Sequence, residues 1–397
     1  MAGHFQAVPI ADKVYWVGAI DWSIRDFHGY STNRGTTYNA YLVMADKPTL
    51  IDTVKAPFFD EMLGRIASIC DPKSIRYVVS NHAELDHSGG LPALAALVKP
   101  EKIFASAMGV KALAAHFHWD VPVQAVKDGE KLDLGGERLA CYETRMLHWP
   151  DSMFSHLEGA DILFSNDGFG MHLASSARFD DETPDWHYEA EKYYANIILP
   201  YSDIVLTLLD KFARAGLRPK MIAPDHGPIW RRDAAQIVSL WSRWAAQKPA
   251  DKAVVVFDTM WGSTEKLARA VAEGLGAGGT KTVVMPLRSS HRSDVATEIL
   301  EAGALLVGAP TINRQMFPSV ADVLSYLKGL KRKSLLGAAF GSYGWAGEGV
   351  QQVHDALTAM SAATEPPVKC QYVPDAAALE TARALGQRIS AKLKEAK

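Results

Sequence analysis

Apolar positions in the first half of the chain come in short runs, each followed by polar residues. Between Lys13 and Asp52, aromatic and aliphatic runs alternate with turn residues (His28-Gly29, Asn33-Arg34-Gly35), a rhythm that predicts consecutive hairpins. Phe59 to Ile69 has helical spacing. Four compact strands are then expected, at Tyr77-Val78-Val79, Ile103-Phe104, Ile162-Leu163-Phe164 and Met221-Ile222-Ala223. Strands that end in loops carrying His, Asp or Glu put chemistry at one edge of a sheet or sandwich. The amphipathic stretch Asp233 to Ala246, with Ile237, Leu240, Trp241 and Trp244 on one stripe, closes this half.

Gln247-Lys248-Pro249-Ala250-Asp251 is a polar, proline-bearing break and a natural boundary. Two domains are therefore expected, residues 1–249 and 250–397. Beyond the break the rhythm becomes strand, helix, strand. Ala253 to Phe257 is a continuous apolar run, as a buried parallel strand requires. A helical stretch from Thr264 to Leu275 follows, ended by Gly276-Ala277-Gly278-Gly279. Further buried strands are expected at Lys281 to Met285, Ala304 to Val307 and Leu335 to Phe340. That alternation predicts an α/β fold with an open, doubly wound parallel sheet.

Bulk properties narrow the function classes. A chain of 397 residues is long enough for more than one core. Its formal net charge of −3 supplies no basic field for nucleic acid or anionic lipid. No stretch approaches the roughly 20 apolar residues of a membrane span, and Met1 to Val17 lacks the pattern of a signal peptide. Cys70, Cys141 and Cys370 form no CxxC pair, which argues against a disulfide framework or a thiolate metal site. A cytoplasmic protein without nucleic-acid or membrane partners is expected.

Candidate chemistry is densest at Asn81-His82-Ala83-Glu84-Leu85-Asp86-His87, directly after an apolar strand. His148, Asp167 after the strand Ile162 to Phe164, and His226 after the strand Met221 to Ala223 join it. The set is four imidazoles (His82, His87, His148, His226) and three carboxylates (Glu84, Asp86, Asp167). Seven donors exceed the three or four that one tetrahedral zinc takes and suit two metals sharing a bridging carboxylate. Imidazole and carboxylate without thiolate fit iron, manganese or zinc. His116-Phe117-His118-Trp119-Asp120 imitates a hydrolase metal motif, but it follows a helical stretch and reads as a solvated helix end. His4, His156, His172, His187, His291 and His354 read as incidental.

In the second half, Thr259-Met260-Trp261-Gly262-Ser263-Thr264 opens a helix. Hydroxyls, a permissive glycine and the helix N-terminus form a cradle without lysine, sized for a single monophosphate. The loops Pro310-Thr311-Ile312-Asn313 and Ser342-Tyr343-Gly344-Trp345, with Gly347, follow strands on the same expected edge. Aromatics between glycines there can stack on a flat ring, and three such loops at strand carboxyl ends match the switch-point rule.

The order His-x-Glu-x-Asp-His, then His, Asp and His, resembles the flavodiiron proteins (A-type flavoproteins, including rubredoxin:oxygen oxidoreductases). In that family a Glu, here Glu84, replaces the second His of the hydrolase motif. The second half similarly resembles a flavodoxin, departing from the usual wording at Ala309 and Arg314. The resemblance spans essentially the whole chain. It implies an N-terminal metallo-β-lactamase-like αββα sandwich and a C-terminal flavodoxin-like domain holding FMN. It implies one iron on His82, Glu84 and His148, a second on Asp86, His87 and His226, and Asp167 bridging. His87 either ligates or is rotated away with water in its place. His28 and Tyr194 resemble positions near the diiron pocket that would donate hydrogen bonds to bound oxygen or its reduction products. Reduction of O2 to water, of NO to N2O, or both, is implied, with electrons from rubredoxin or a similar carrier. A head-to-tail homodimer, or a dimer of dimers, is implied as well. Two readings compete: a zinc hydrolase of the metallo-β-lactamase type fused to a flavodoxin, and a flavin-binding carrier whose first half is structural.

Overall fold

The computed structural model describes residues 5–361 and 363–395. Within it the chain forms two compact units. The first comprises residues up to Phe27, Thr32–Tyr193 and Asp203–Ser242; the second comprises His28–Ser31, Tyr194–Ser202 and Arg243 onward. Two short segments of the first half, both expected to sit with the metal loops, thus belong to the second unit. His4, read above as incidental, lies outside the described residues.

The first unit contains two mixed sheets. One has seven strands, in spatial order Val8–Ala11, Val14–Trp16, Tyr41–Val43, Thr49–Ile51, Tyr77–Ser80, Lys102–Ser106 and Val123–Val126. Its first three pairings are antiparallel, and its last three, from Thr49–Ile51 onward, are parallel. The other runs Lys131–Asp133, Arg138–Glu143, Met153–Leu157, Ile162–Phe164 and Met221–Ala223, with only the last pair parallel. Trp16, Tyr41, Val79, Phe104, Leu139, Phe164 and Ala223 form one apolar cluster between the sheets. Met62, Ile66, Leu91, Leu94 and Leu113, from helices, pack with Leu50 and Val78 on the outer face of the first sheet. On the second sheet Phe212 lies 5.7 Å from Tyr142 and Trp241 4.6 Å from Phe169, which seats the helices Ser202–Arg214 and Ala234–Ala245. The layers are therefore helix, sheet, sheet, helix.

The second unit is built on a five-stranded, wholly parallel sheet. Its order is Lys281–Pro286, Ala250–Phe257, Ala302–Gly308, Leu336–Tyr343 and Ala363–Gln371. With strands numbered along the chain this is 2-1-3-4-5, the doubly wound arrangement whose ligand crevice lies at the strand carboxyl ends. The continuous apolar runs are explained by burial on both faces: every residue of Ala302–Gly308 is buried. Leu267, Val271, Ala382, Leu385 and Ile389 from two helices join Val255, Leu306 and Phe340 in one core. Those helices, Ser263–Ala277 and Ala376–Glu395, touch backbone to backbone. A Cβ at Gly274 would sit 2.0 Å from the Arg383 carbonyl oxygen, and one at Gly386 2.2 Å from that of Val271. No helix among the described residues is long and apolar enough to cross a membrane.

Candidate metal centre and flavin cavity

The metal loop is held from behind before any ligand is considered. Asp52, buried at the end of the strand Thr49–Ile51, accepts the Asn81 amide N–H at 2.6 Å and the Asn81 side chain at 2.7 Å. Asp151 accepts the Ala83 amide N–H at 2.6 Å. Glu84 is extended, and the single turn Leu85–Ser88 starts beside it, so Asp86 and His87 both turn inward although they are neighbours in sequence.

Seven side chains meet there in two groups, His82, Glu84, His148 and Asp167, and Asp86, His87 and His226. In the first, His82 Nε2 lies 3.3 Å from Glu84 Oε2 and 3.3 Å from Asp167 Oδ2. His148 Nε2 lies 3.3 Å and 3.2 Å from the same two oxygens. In the second, Asp86 offers Oδ1 at 3.4 Å to His87 Nε2 and Oδ2 at 3.2 Å to His226 Nε2. Asp167 Oδ1 lies 3.3 Å and 3.4 Å from those two imidazoles. One oxygen of Asp167 thus faces each group. Donors bound to a first-row ion at about 2.1 Å stand about 3.3 Å apart at near-tetrahedral angles, so these separations fit two ions.

Unmet hydrogen bonding points the same way. Both carboxylate oxygens of Asp86, His87 Nε2 and Asp167 Oδ2 are buried without a hydrogen-bond partner, a costly state for polar atoms unless a cation is shared. Two of the opposite nitrogens are hydrogen-bonded: His226 Nδ1 to the Thr37 carbonyl at 2.6 Å and His82 Nδ1 to Asp151 Oδ2 at 3.0 Å. These contacts fix the tautomer and aim Nε2 at the metal side. His87 Nδ1 faces Asp225 Oδ2 at 3.3 Å without forming a hydrogen bond. Burial opposes charge on His82, yet Asp151, Glu84 and Asp167 outweigh it and raise the imidazole to about 10. Burial pushes Asp167 up, but His87 and His148 overcome it and hold it well below the usual carboxylate range. A site this acidic attracts positive charge.

Other expected residues fall differently. The tyrosine hydroxyl that reaches the cluster is that of Tyr193, which donates to Asp167 Oδ1 at 2.7 Å. Tyr194 begins a π-helical turn, and its hydroxyl pairs with Ser202 at 3.2 Å within the second unit. His28 is exposed, has φ 56° and also belongs to the second unit. His172, read as incidental, is buried beside the donors: its ring stands 4.7 Å from that of His226 and its Nδ1 2.9 Å from Thr36 Oγ1. Burial and the neighbouring His226 hold its pKa well below the ordinary value, so it is neutral. No local motif marked it. His116 and His118 do cap a helix end: His118 takes the left-handed conformation closing Ala107–Phe117, and both are exposed.

In the second unit a cavity of about 620 Å³ opens among the three ligand loops. Met260, Trp261 and Ser263 line it from the first, Pro310 to Asn313 from the second, and Ser342 to Trp345 from the third. Tyr372 and Val373, after the last strand, complete the wall and were not expected. Trp261 and Trp345 are 94% and 88% exposed, flat apolar faces open to a ring system. Thr259, Gly262, Thr264 and Gly347 do not line the cavity. Instead Thr259 Oγ1 accepts the Gly262 amide N–H at 3.1 Å, and Gly262, at φ 84°, takes a conformation that favours glycine. Thr264 Oγ1 meets Ser342 Oγ at 2.9 Å and ties the first loop to the third. Arg314 lines the cavity, its guanidinium 3.1 Å from Glu348.

A two-ion donor set on a β-lactamase-like sandwich, joined to a flavodoxin-like sheet with an aromatic cavity, defines a class of metalloflavoprotein. The comparisons with known proteins agree. Residues 36–227 match the family described as ODP family beta lactamase, and residues 255–386 match flavodoxin. The chain is 47% identical to a rubredoxin-oxygen oxidoreductase of Megalodesulfovibrio gigas, over 98% of each chain. It is 44% identical to a nitric oxide reductase of Moorella thermoacetica, over 98% of this chain and 99% of the other. The solved rubredoxin oxygen:oxidoreductase from the anaerobe Desulfovibrio gigas superposes with a TM-score of 0.96, covering 98% of this chain and 99% of that one. The chain belongs to the flavodiiron protein family.

Proposed function

We propose that this protein is an oxidoreductase that reduces O2 to water, NO to N2O, or both. Electrons from rubredoxin or a similar carrier would reach a diiron centre through FMN. The observation that carries the reading is Asp167, which turns one carboxylate oxygen to each of two donor groups. His82, Glu84 and His148 would hold one iron; Asp86, His87 and His226 would hold the other. The names of the relatives, an oxygen oxidoreductase and a nitric oxide reductase, support both substrates. Glu84 in place of a hydrolase histidine weighs against zinc hydrolysis.

When bound, the two irons and the FMN supply two electrons each, enough for O2 + 4e⁻ + 4H⁺ → 2H2O, or for 2NO + 2e⁻ + 2H⁺ → N2O + H2O. The protein's own residues prepare the ground. Asp86, Asp167, His82, His87 and His226 are buried, where charge interactions are strong. Tyr193 keeps its proton, because burial and the adjacent Asp167 raise its pKa well above the ordinary value, and it orients Asp167 through Oη. His148 is the most open of the imidazoles, its side chain 13% exposed, and marks the accessible side of the centre.

Thr259 to Thr264 would receive the FMN phosphate, and the Pro310 and Tyr343 loops the ring. The domain limits 1–249 and 250–397, the head-to-tail homodimer and a cytoplasmic location belong to the same reading. The exposed Trp261 and Trp345 support burial against another chain, and three free cysteines suit a reducing compartment. The test is turnover with reduced rubredoxin, following O2 consumption and N2O formation, alongside metal analysis. Two irons and one FMN per chain are expected. Two zincs without iron overturn the reading, and a dilute monomer with full turnover overturns the dimer.

A further inference from the structure

The phosphate loop has an acid at its root. Asp258, the residue after the strand Ala250–Phe257, is 6% exposed. Its Oδ1 accepts the Thr259 amide N–H at 2.7 Å, and its Oδ2 accepts the Ser319 hydroxyl at 2.6 Å. Arg288 approaches the same carboxylate, Nε to Oδ1 at 3.4 Å, and donates a second bond to the Thr259 carbonyl. The sheet aims it there. Pro286 pairs with Phe257 in the parallel ladder, and the Leu287 amide N–H then bonds the Phe257 carbonyl at 2.9 Å. Arg288 therefore leaves the neighbouring strand level with Asp258 and Thr259.

A phosphate monoester carries nearly two negative charges at neutral pH. A carboxylate beside its cradle opposes binding unless that charge is met by an opposite one. Thr259 N–H and Ser319 satisfy the lone pairs of Asp258 but bring no countercharge, whereas the guanidinium does. Its bond to the Thr259 carbonyl also fixes the residue whose hydroxyl holds the Gly262 amide.

We propose that Arg288 is a positioning residue for the flavin phosphate: forked between Asp258 and Thr259, it cancels the acid at the root of the loop and holds the loop in its receiving shape. This rests on the FMN reading above. Sequence gave no sign of it, because Arg288 lies outside all three ligand loops.

The full-length protein, freed of flavin, would be titrated with FMN and separately with riboflavin, which has the same ring without the phosphate. Fluorescence quenching reads binding and circular dichroism reads folding. Arg288→Met is expected to weaken FMN by about tenfold, the scale of one charge-assisted hydrogen bond, and to leave riboflavin unchanged. Arg288→Lys keeps the charge without the fork and should lie between; it reads the same contrast if the methionine variant does not fold. Adding Asp258→Asn to Arg288→Met removes the acid that the arginine compensates and should recover most of the FMN affinity. Equal losses for both flavins, no loss for either, or a double variant no better than Arg288→Met would each overturn the proposal. Unaltered protein that binds neither flavin would instead sink the FMN reading.

Discussion

Tyr193 donates a 2.7 Å hydrogen bond to Asp167 Oδ1, the same oxygen that faces His87 Nε2 at 3.3 Å and His226 Nε2 at 3.4 Å. A neutral phenol on a buried carboxylate restrains its angle without cancelling its charge. Tyr193→Phe is therefore expected to keep both irons and to lower turnover by about tenfold, the loss of one hydrogen bond to a charged acceptor. Iron content and O2 or NO turnover check this; loss of iron would mean the bond serves assembly instead.

Asp167→Ala removes the one carboxylate shared by both donor groups, and Glu84→Ala removes the oxygen shared by His82 and His148. Either change is expected to abolish iron loading and leave the protein yellow, because the flavin cavity is lined by the second unit alone. The iron-to-flavin ratio is the readout. Loss of both cofactors would report unfolding.

Asp151 accepts from His82 Nδ1 at 3.0 Å and from the Ala83 amide at 2.6 Å. Asp151→Asn weakens the contact that fixes the His82 tautomer. Supporting residues of this kind are worth about 10–100-fold in metal affinity. Iron loss to a chelator should speed up by that order, with the thermal midpoint of the flavin-bound unit unchanged.

Glu365 pairs with Lys392 at 2.5 Å and with Arg388 at 3.0 Å within the flavodoxin-like unit. The Lys392 ammonium, opposed by burial and joined by Arg388, holds its pKa below the ordinary glutamate range. A depressed folded-state pKa stabilises above the unfolded value and loses that stability as pH falls through the folded one. Glu365→Gln should therefore destabilise the protein at pH 7 by under about 1 kcal/mol after solvent screening, read as a lower thermal midpoint. The difference should vanish in acid below the folded pKa. An equal deficit at both pH values would assign the effect to packing.

Much of this architecture was legible in the residues. The strands Ile162–Phe164 and Met221–Ala223 were read residue for residue, since short apolar runs bounded by polar clusters leave few alternatives. The seven side chains that gather in two groups were all named from the sequence, because chain order and spacing mark them, although the orientation of His87 was left open. Tyr193 was not. Adjacent helical residues point about 100° apart, so the choice between Tyr193 and Tyr194 depends on how the helix His187–Tyr193 docks and where its π-turn begins. His172 was missed for a related reason: it sits in no motif and reaches His226 only through packing.

Local pattern by itself determined the two rhythms of the chain, the candidate metal donors and the loops that line the cavity, because periodicity and short motifs act over a few residues. Tertiary structure decided which oxygen of Asp167 faces which group, and that His87 turns inward. It also carried His28–Ser31 and Tyr194–Ser202 into the second unit and set Arg288 beneath the phosphate loop. Those outcomes depend on residues far apart in sequence meeting at the ends of strands, and no local spacing encodes such a meeting.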